Sequence, residues 1–480
     1  MKLAKLLRGV PLRTTDVPDL DVQAVTADSR LVQPGSLFVA IAGFQTDGAR
    51  FIESARQKGA VAIVSEGDAD IQVDDARAAL ATIAANFYGR PAEGLSIVGV
   101  TGTSGKTTTT KMLESVFDAE GAPVGLIGTI EYRAGDEKLV ADRTTPDAVV
   151  LQEWFARMRE AGVKHAVMEV SSHALALKRT YGIHFAAAVF TNLSRDHFDF
   201  HKDFDDYFAA KRILFDQIDR TRKTAIVNID DEYGRRLADE LGGAVVSFGR
   251  SGDIRPAGDF AIDVRGLRGT VHTPQGDVQV DSRLLGLPNL YNWLGAMGAA
   301  LAVGIPIPTI EAGIRNLAAV RGRFERVDTD GGPTVIVDYA HKPDALEKLL
   351  HAVRELAGGH QVKILFGCGG DRDKGKRPQM GEIAARLADQ VVLTSDNPRG
   401  EDPAQILQEI AAGIHGRQFA TVPDRREAIA RAIGDAGDDD VIVIAGKGHE
   451  TYQVVGDQIH HFDDREEAEL ALKKRHENRA

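Results

Sequence analysis

Residues 96–113 read SIVGVTGTSGKTTTTKML, and this stretch decides how the rest of the chain is read. An apolar strand, Ser96 to Thr101, runs straight into a Gly-rich turn, and Lys106 and Thr107 open a helix expected over Thr107 to Glu120. Strand, turn and helix in that order form a phosphate cradle. The backbone N–H groups of Gly102, Thr103, Ser104, Gly105 and Lys106 face an anion at the helix N-terminus, the Lys106 ammonium neutralises β/γ charge, and the Thr107 hydroxyl reaches magnesium. The spacing departs from G-x-x-x-x-G-K-[ST], because Val100 stands where the first Gly belongs. A chance Gly-Lys-Thr turn is the bland alternative; a strand before it and a helix after it favour nucleotide binding.

Working outward, strands and helices keep alternating. After the cradle come helix Val149 to Ala161, strand Ala166 to Val170, strand Ala187 to Thr191, helix Tyr207 to Gln217 and strand Lys223 to Asn228. Alternation of this kind predicts a mainly parallel sheet covered by helices. Asp253 to Ser282 switches to short Gly-rich segments, an antiparallel insert, before a helix at Tyr291 to Val303. Upstream, residues 1–92 read as a small α/β unit closed by Gly89-Arg90-Pro91. Downstream, strands Thr334 to Asp338, Val362 to Gly367, Gln390 to Thr394 and Val441 to Ala445 alternate with helices Pro343 to Leu356, Met380 to Leu387 and Ala404 to Ala412. The predicted fold class is α/β in three domains: a small N-terminal α/β domain (1–92), a central P-loop ATPase-like parallel-sheet domain (93–322), and a C-terminal Rossmann-like α/β domain (323–480).

Composition sets the outer limits. The chain has 480 residues, a formal net charge of −12 and 43% hydrophobic residues, which is the profile of an ordinary globular protein of about three domains. The single Cys368 excludes an internal disulfide and a Cys-based structural zinc site, and points to a reducing, cytoplasmic setting. With no Lys/Arg block in an acidic chain, nucleic acid is not an expected partner. The longest uncharged stretch after Leu284 is interrupted by Pro288, Pro306 and Pro308, so a buried helix is expected there rather than a membrane span.

Two further clusters follow strands in the central region. Glu169 ends one strand and is followed by Ser171, Ser172 and His173; a carboxylate beside a phosphate cradle is a magnesium ligand or a helix cap. Residues 191–201, TNLSRDHFDFH, bring Asn192, Asp196, His197 and Asp199, with His201 read as a surface residue. Magnesium is expected there over zinc, since Cys and a three-ligand spacing are lacking. In the C-terminal region four charged loops follow strands directly, carrying Asp338 and His341, Arg372, Asp396 to Arg399, and Gly446 to Glu450. Loops at successive strand ends describe one rim of a sheet, where open α/β sheets bind ligands. Arg372 and Arg399 suit carboxylates and Asp396 and Glu450 suit a cationic amine, so a zwitterionic ligand is expected. Lys374, Lys376 and Arg377 are read as solvated rim charges.

TGTSGKTTT, EVSSH, TNLSRDHFDFH, AAKRILF, GRFERV, VDYAHKPDALE, FGCGGDRDKGKR, SDNPR and AGKGHE, in that order, resemble the motifs of the ATP-dependent Mur ligases of bacterial peptidoglycan synthesis, and the resemblance spans the chain, ADSR and GFQTDG near its start included. SDNPR is similar to the motif of members that add meso-diaminopimelate to UDP-N-acetylmuramoyl-L-alanyl-D-glutamate. The resemblance therefore implies an ATP-dependent amide ligase that activates the D-Glu γ-carboxylate as an acyl phosphate, acting as a cytoplasmic monomer. It further implies that Gly102, Thr103, Ser104, Gly105, Lys106, Thr107 and Thr108 hold ATP phosphates, with Asn289, Asn292, Arg323, Asp338 and His341 as further nucleotide contacts. Thr107, Glu169 and His197 would hold two Mg²⁺ ions together with Lys211 once carbamylated; read alone, Lys211 is a solvent-facing helix residue. Ser29, Gln45, Thr46, Thr144, Thr145, Ser171 and Arg179 would bind the UDP-substrate, and Arg372, Asp396, Asn397, Pro398, Arg399, Gly446 and Glu450 the diaminopimelate. Phe44, Leu177 and Pro288 depart from the family pattern. The rival readings are L-lysine or another acceptor in the same superfamily, folylpolyglutamate synthetases included, and, from a different class, a P-loop nucleotide switch.

Overall fold

The computed structural model describes residues 1–43, 47–219, 221–222, 224–327 and 331–478. Its chain divides into two compact units, 1–255 with 272–278 and 291–313, and 256–271 with 279–290 and 314–480.

The first unit holds two sheets. Near the N-terminus Ala24–Thr26, Ser36–Val39, Ala60–Ser65 and Ile71–Gln72 pair in that order, all parallel, and helix Ala76–Phe87 packs its Ala and Leu face on them. Asp75 caps this helix through Ala78 N. The second sheet has eight strands, in the order Val245–Phe248, Ala225–Asn228, Ala187–Phe190, Ser96–Thr101, His165–Glu169, Val124–Ile127, Glu131–Ala134, Glu137–Val140. The first six run parallel and the last two turn back as a hairpin. Ser96–Thr101 lies well inside this sheet, and its Ile97, Val98 and Val100 are fully buried, as continuous apolar runs covered on both faces must be. The cradle turn therefore leaves from a rigid position, and the strand ends of Glu169 and Phe190 lie alongside it.

The second unit is built on a six-stranded sheet, ordered Glu325–Val327, Thr334–Asp338, Val441–Ala445, Val362–Phe366, Gln390–Leu393, Phe419–Thr421. All pairs are parallel except the first. Val441–Ala445, last of the parallel strands in sequence, inserts between Thr334–Asp338 and Val362–Phe366, which makes a switch point in the strand order, the place where open α/β sheets generally bind ligands. Apolar clusters fill both faces of this sheet.

Most sequence-based elements recur within a residue or two; the helix expected from Met380 starts at Lys376, that expected from Tyr207 starts at Phe204, and the strand expected near Leu37 ends at Val39. Other exceptions are instructive. The helix expected at Tyr291 begins four residues earlier, as Leu287–Ala302, because Pro288 falls in its first turn, where a missing N–H costs nothing. The helix expected to end at Gln217 closes as an α-helix over Phe204–Arg212 and then tightens into a 3-10 turn, Ile213–Asp216. Lys223, the expected start of the next strand, lies outside the described residues, and that strand is observed as Ala225–Asn228. Unanticipated were Val124–Ile127 with its hairpin, helix Asp464–Glu477, and the hairpin Tyr452–Val455 with Gln458–His461. The Asp253 to Ser282 insert is a three-stranded sheet, Arg255–Asp263, Gly266–Thr273 and Gly276–Ser282, whose two-residue connections permit only antiparallel pairing. Among the described residues no helix is long and apolar enough to cross a membrane.

Candidate active site

In the first unit the cradle turn is glycine-dependent at two points. Gly102 has φ +148° and a Cβ there would sit 1.9 Å from Thr191 Oγ1; Gly105 has φ +88° and its Cβ would meet Asn292 Oδ1 at 2.5 Å. Both positions exclude a side chain by contact as well as by backbone conformation. Helix Lys106–Asp118 starts at the turn, and Thr191 ties it down by donating to Ser104 O at 2.6 Å. Asn192 closes the same edge: its Oδ1 accepts from Ser104 N, and Asn192 O accepts from Thr103 N. Of the two asparagines expected at the nucleotide, Asn292 stands against this turn, and Thr109 Oγ1 approaches its Oδ1 at 3.4 Å. Asn289 belongs to the second unit, buried, with Nδ2 donating to Leu285 O.

Two lysine side-chain nitrogens converge on one carbonyl. Lys106 Nζ donates to Gly102 O at 2.8 Å and to Thr103 O at 3.0 Å, and Lys211 Nζ donates to the same Gly102 O at 2.8 Å. Lys211 is 1% exposed, which corrects its reading as a solvent-facing helix residue. The helix Phe204–Arg212 turns that face inward because Tyr207, Phe208 and Ala210 bury the same side. Burial, and then the neighbouring Lys106 charge, push the Lys211 amine well below its ordinary pKa. Tyr207, one helical turn earlier, places its ring 4.5 Å from Lys211 Nζ and its hydroxyl 3.2 Å from Thr103 Oγ1. Sequence reasoning missed Tyr207, although its i, i+4 spacing to Lys211 was a usable signal.

On the other side of the turn, Thr107 Oγ1 donates to Glu169 Oε2 at 3.0 Å. Thr129 adds its N–H to Oε1 at 2.8 Å and its hydroxyl to Oε2 at 3.0 Å, so a buried carboxylate stands beside the Thr107 hydroxyl, held by donors from the first turn of a helix and from one loop. Thr129 was also missed, and no spacing pointed to it. Thr144 Oγ1 lies 3.0 Å from Thr129 Oγ1, and Thr145 Oγ1 donates to Glu169 O and accepts from Ser171 N. Arg179 Nη1 donates to Thr145 O at 2.7 Å. Among the described residues no group of three or more His, Cys, Asp or Glu side chains is arranged to hold a metal. A hydroxyl beside a single carboxylate is nonetheless the donor set that Mg²⁺ uses when phosphate oxygens and water complete its shell.

His197 takes φ +57°, with its N–H on Asp196 Oδ1 and its ring 4.8 Å from that of His173. His201 is 2% exposed, not a surface residue: Nε2 lies 3.0 Å from Ser172 Oγ and Nδ1 3.2 Å from Asp206 Oδ2, so it ties the start of helix Ser172–Ala176 to helix Phe204–Arg212. Alternating polar and aromatic residues concealed this, because the segment has neither helical nor strand period.

Also within the first unit, Arg77, Arg143, Lys178 and Arg179 line a depression of about 230 Å³ with Ala27 and Leu177. Burial, followed by the charge of Arg143, lowers the Arg179 pKa, a repulsion that an anionic ligand relieves. Ser29 is half-buried, and its carbonyl accepts from Lys58. Phe44, Gln45 and Thr46 lie outside the described residues.

In the second unit the four charged loops leave the C-terminal ends of neighbouring strands. Asp338 accepts from Phe324 N and Ala340 N, and the Arg323 guanidinium lies 4.8 Å over the Tyr339 ring. His341 Nδ1 lies 2.8 Å from Tyr339 O, and burial lowers its pKa to about 4; facing a carbonyl, Nδ1 carries the proton and Nε2 the lone pair. Arg399 adopts φ +51°, and the hairpin Tyr452–Val455 holds it there: its N–H donates to Val454 O and its carbonyl accepts from Gly456 N. Its Nη1 donates to Gly370 O, which joins SDNPR to the loop carrying Arg372. Asp396 Oδ1 accepts from Asn397 N, and a Cβ on Gly446 would stand 2.7 Å from Asp396 Oδ2. Asn397 Nδ2 donates to Glu450 Oε2 at 2.8 Å. Pro398 O accepts from Glu401 N.

The expected solvated group Lys374, Lys376 and Arg377 divides. Lys374 is exposed, Lys376 donates to His341 O, and Arg377 is fully buried, forking onto Glu401 and reaching Glu409 at 2.6 Å and Gly369 O. Arg377 pulls the Glu401 carboxyl down to about 2. The loop is thus anchored from beneath, which a run of four close basic residues does not reveal.

Compared with known proteins, residues 21–88 match the catalytic domain of the Mur ligase family, 100–300 the Mur ligase middle domain and 322–448 the Mur ligase glutamate ligase domain. The chain belongs to the Mur ligase family. It is 45% identical to the UDP-N-acetylmuramoyl-L-alanyl-D-glutamate–2,6-diaminopimelate ligase of Geobacter metallireducens, over 99% of each chain. The ligase of the same name from Gloeobacter violaceus is 47% identical, again over 99% of each. A solved structure named for the same activity superposes with a TM-score of 0.70 at 32% identity, covering 95% of both chains. In this Mur ligase Lys106, Lys211 and Glu169 stand at one Gly-rich turn, and the four charged C-terminal loops at the ends of neighbouring strands.

Proposed function

We propose that this Mur ligase adds meso-diaminopimelate to the D-Glu γ-carboxylate of UDP-N-acetylmuramoyl-L-alanyl-D-glutamate at the expense of ATP, in the cytoplasm and as a monomer. The observation that carries the reading is the match, over nearly the whole chain, to relatives named for that reaction. The three domains take residues 1–92, 93–322 and 323–480. ATP phosphates lie over Gly102 to Thr108, with Asn289, Asn292, Arg323, Asp338 and His341 as further nucleotide contacts. Ser29, Gln45, Thr46, Thr144, Thr145, Ser171 and Arg179 hold the nucleotide sugar, and Arg372, Asp396 to Arg399, Gly446 and Glu450 the amino acid.

In the reaction the γ-carboxylate attacks the ATP γ-phosphorus and ADP leaves. The diaminopimelate amine then attacks the acyl phosphate, loses a proton, and phosphate departs as the amide forms. Lys106, with Nζ already on the cradle, offsets charge on the transferring phosphoryl group, and the cradle N–H groups orient it for in-line attack. Thr107 and Glu169 would hold one Mg²⁺, and His197 with carbamylated Lys211 a second; bound there, the ions supply charge neutralisation of phosphate oxygens. The lowered basicity of buried Lys211 supports carbamylation, since a neutral amine is what adds to CO₂. An anionic Lys211 would also convert its contact with the Lys106 ammonium from repulsion to attraction.

The test is phosphate release with MgATP and the nucleotide-sugar substrate, offering meso-diaminopimelate, L-lysine or L-glutamate. Release that depends on diaminopimelate is expected. Equal turnover with lysine would sink the acceptor assignment, and release that needs no amino acid would point to a nucleotide switch.

A further inference from the structure

Beneath the rim of the second unit lies a charge that neither the phosphate chemistry nor the proposed amino-acid contacts employ. Lys447 is 0% exposed, in the loop that follows strand Val441–Ala445. Its Nζ lies 3.1 Å from Asn397 Oδ1 and 3.3 Å from Glu450 Oε2, and 5.5 Å from the centre of the Tyr452 ring. Asn397 closes the triangle by donating Nδ2 to the same Glu450 Oε2 at 2.8 Å, while its Oδ1 also accepts from Val454 N. Glu450 Oε2 therefore takes two donors, and Oε1 takes none among the described residues.

A carboxylate held this way is half committed. Its side chain is 17% exposed, so the ligand-free oxygen borders solvent while the other is locked by a buried ammonium. Removing a fully buried ammonium from such a pair leaves the carboxylate under-compensated and free to rotate. We infer that Lys447 is a positioning residue for the acceptor site: it locks Glu450 Oε2 and the Asn397 amide so that Glu450 Oε1 faces the ammonium of an amino-acid acceptor. The inference rests on the proposed reading of this rim as that site. Glu450 has Lys447 as its counter-charge, so the acceptor ammonium binds a carboxylate whose geometry is already set and loses little entropy in ordering it.

The test is steady-state kinetics on the full-length enzyme with Lys447→Met and, as a milder change retaining a hydrogen-bond donor, Lys447→Gln. Lys447→Met is expected to raise the KM for diaminopimelate roughly tenfold or more, the usual weight of a hydrogen bond to a charged group, with the KM values for ATP and the nucleotide sugar within about twofold. Lys447→Gln should recover part of that loss. The deciding measurement is the double variant with Glu450→Gln: if Lys447 acts through Glu450, Lys447→Met adds little in the Glu450→Gln background. Additive losses, or an ATP KM that rises in step, would overturn the inference and leave Lys447 a general packing residue. Wild-type enzyme that releases no phosphate with diaminopimelate would overturn the proposed function and this inference with it, so the two failures are distinguishable.

Discussion

Lys106 and Arg399 are the residues whose replacement separates the two halves of the chemistry. Lys106 reaches two cradle carbonyls and no other residue in the turn carries charge, so Lys106→Ala is expected to abolish ATP-dependent ligation, a loss of at least ~10³-fold in kcat. Stopped-time phosphate assays check this, and wild-type turnover would remove Lys106 from the site. Arg399→Ala is expected to raise the diaminopimelate KM by roughly tenfold or more, with ATP affinity unchanged, if Arg399 takes the proposed role of pairing with an acceptor carboxylate. An unaltered KM for the amino acid would exclude Arg399 from that role. The left-handed backbone of Arg399 costs of order 1 kcal/mol, and two backbone hydrogen bonds from the hairpin hold it. Both residues stood out in the sequence, being charged residues directly after predicted strands. Lys447 and Arg377 did not, since a buried Lys or Arg looks like any rim charge until its partners are known.

At the scale of elements, one buried pair joins several. Arg425, the first residue of helix Arg425–Gly434, forks onto Asp464 at 2.6 and 2.7 Å, with both side chains at 0% exposure. The same guanidinium donates to Ser395 O and Ala445 O, the residues just before Asp396 and Gly446. One arginine therefore binds the start of helix Asp464–Glu477 to the base of the loops that carry Asp396 and Gly446. Arg425→Met is expected to cost ~3–5 kcal/mol, because it strands a buried carboxylate and two carbonyls. Equilibrium denaturation checks it; a change below ~1 kcal/mol would mean that the pair contributes little. Helix Asp464–Glu477 went unread in the sequence because its apolar positions are few and its charges many, so it lacks a clear stripe.

For the molecule as a whole, acidity acts through histidines that are kept neutral. Burial lowers the His341 and His449 pKa values to about 4, against an ordinary 6.5. Between those values the unfolded chain binds protons that the folded chain does not. Stability is therefore full above about pH 6.5 and falls as pH drops toward 4, by up to ~3 kcal/mol for each group. His449→Phe should flatten the dependence of the urea midpoint on pH across this window, whereas an unchanged slope would mean that His449 protonates freely in the fold. Cys368, with its thiol pushed up to about 12 by burial, is expected to stay unmodified by alkylating reagents in the native state.

By itself the sequence determined the α/β class, the strand, Gly turn and helix around Gly102 to Lys106, and the charged loops at successive strand ends, because these are written in local order: apolar run, Gly turn, Lys-Thr, and charge directly after each strand. Only the tertiary structure decided which charges are buried. Local reading makes Lys211, His201 and Arg377 solvent-facing and does not single out Lys447 within its rim loop, yet each is enclosed by partners far away in sequence: Gly102, Ser172, Glu401 and Asn397. Strand and helix follow from spacing within about ten residues. The partner of a buried charge follows from sheet order, and sheet order is set by which apolar faces pack together, which no local window contains.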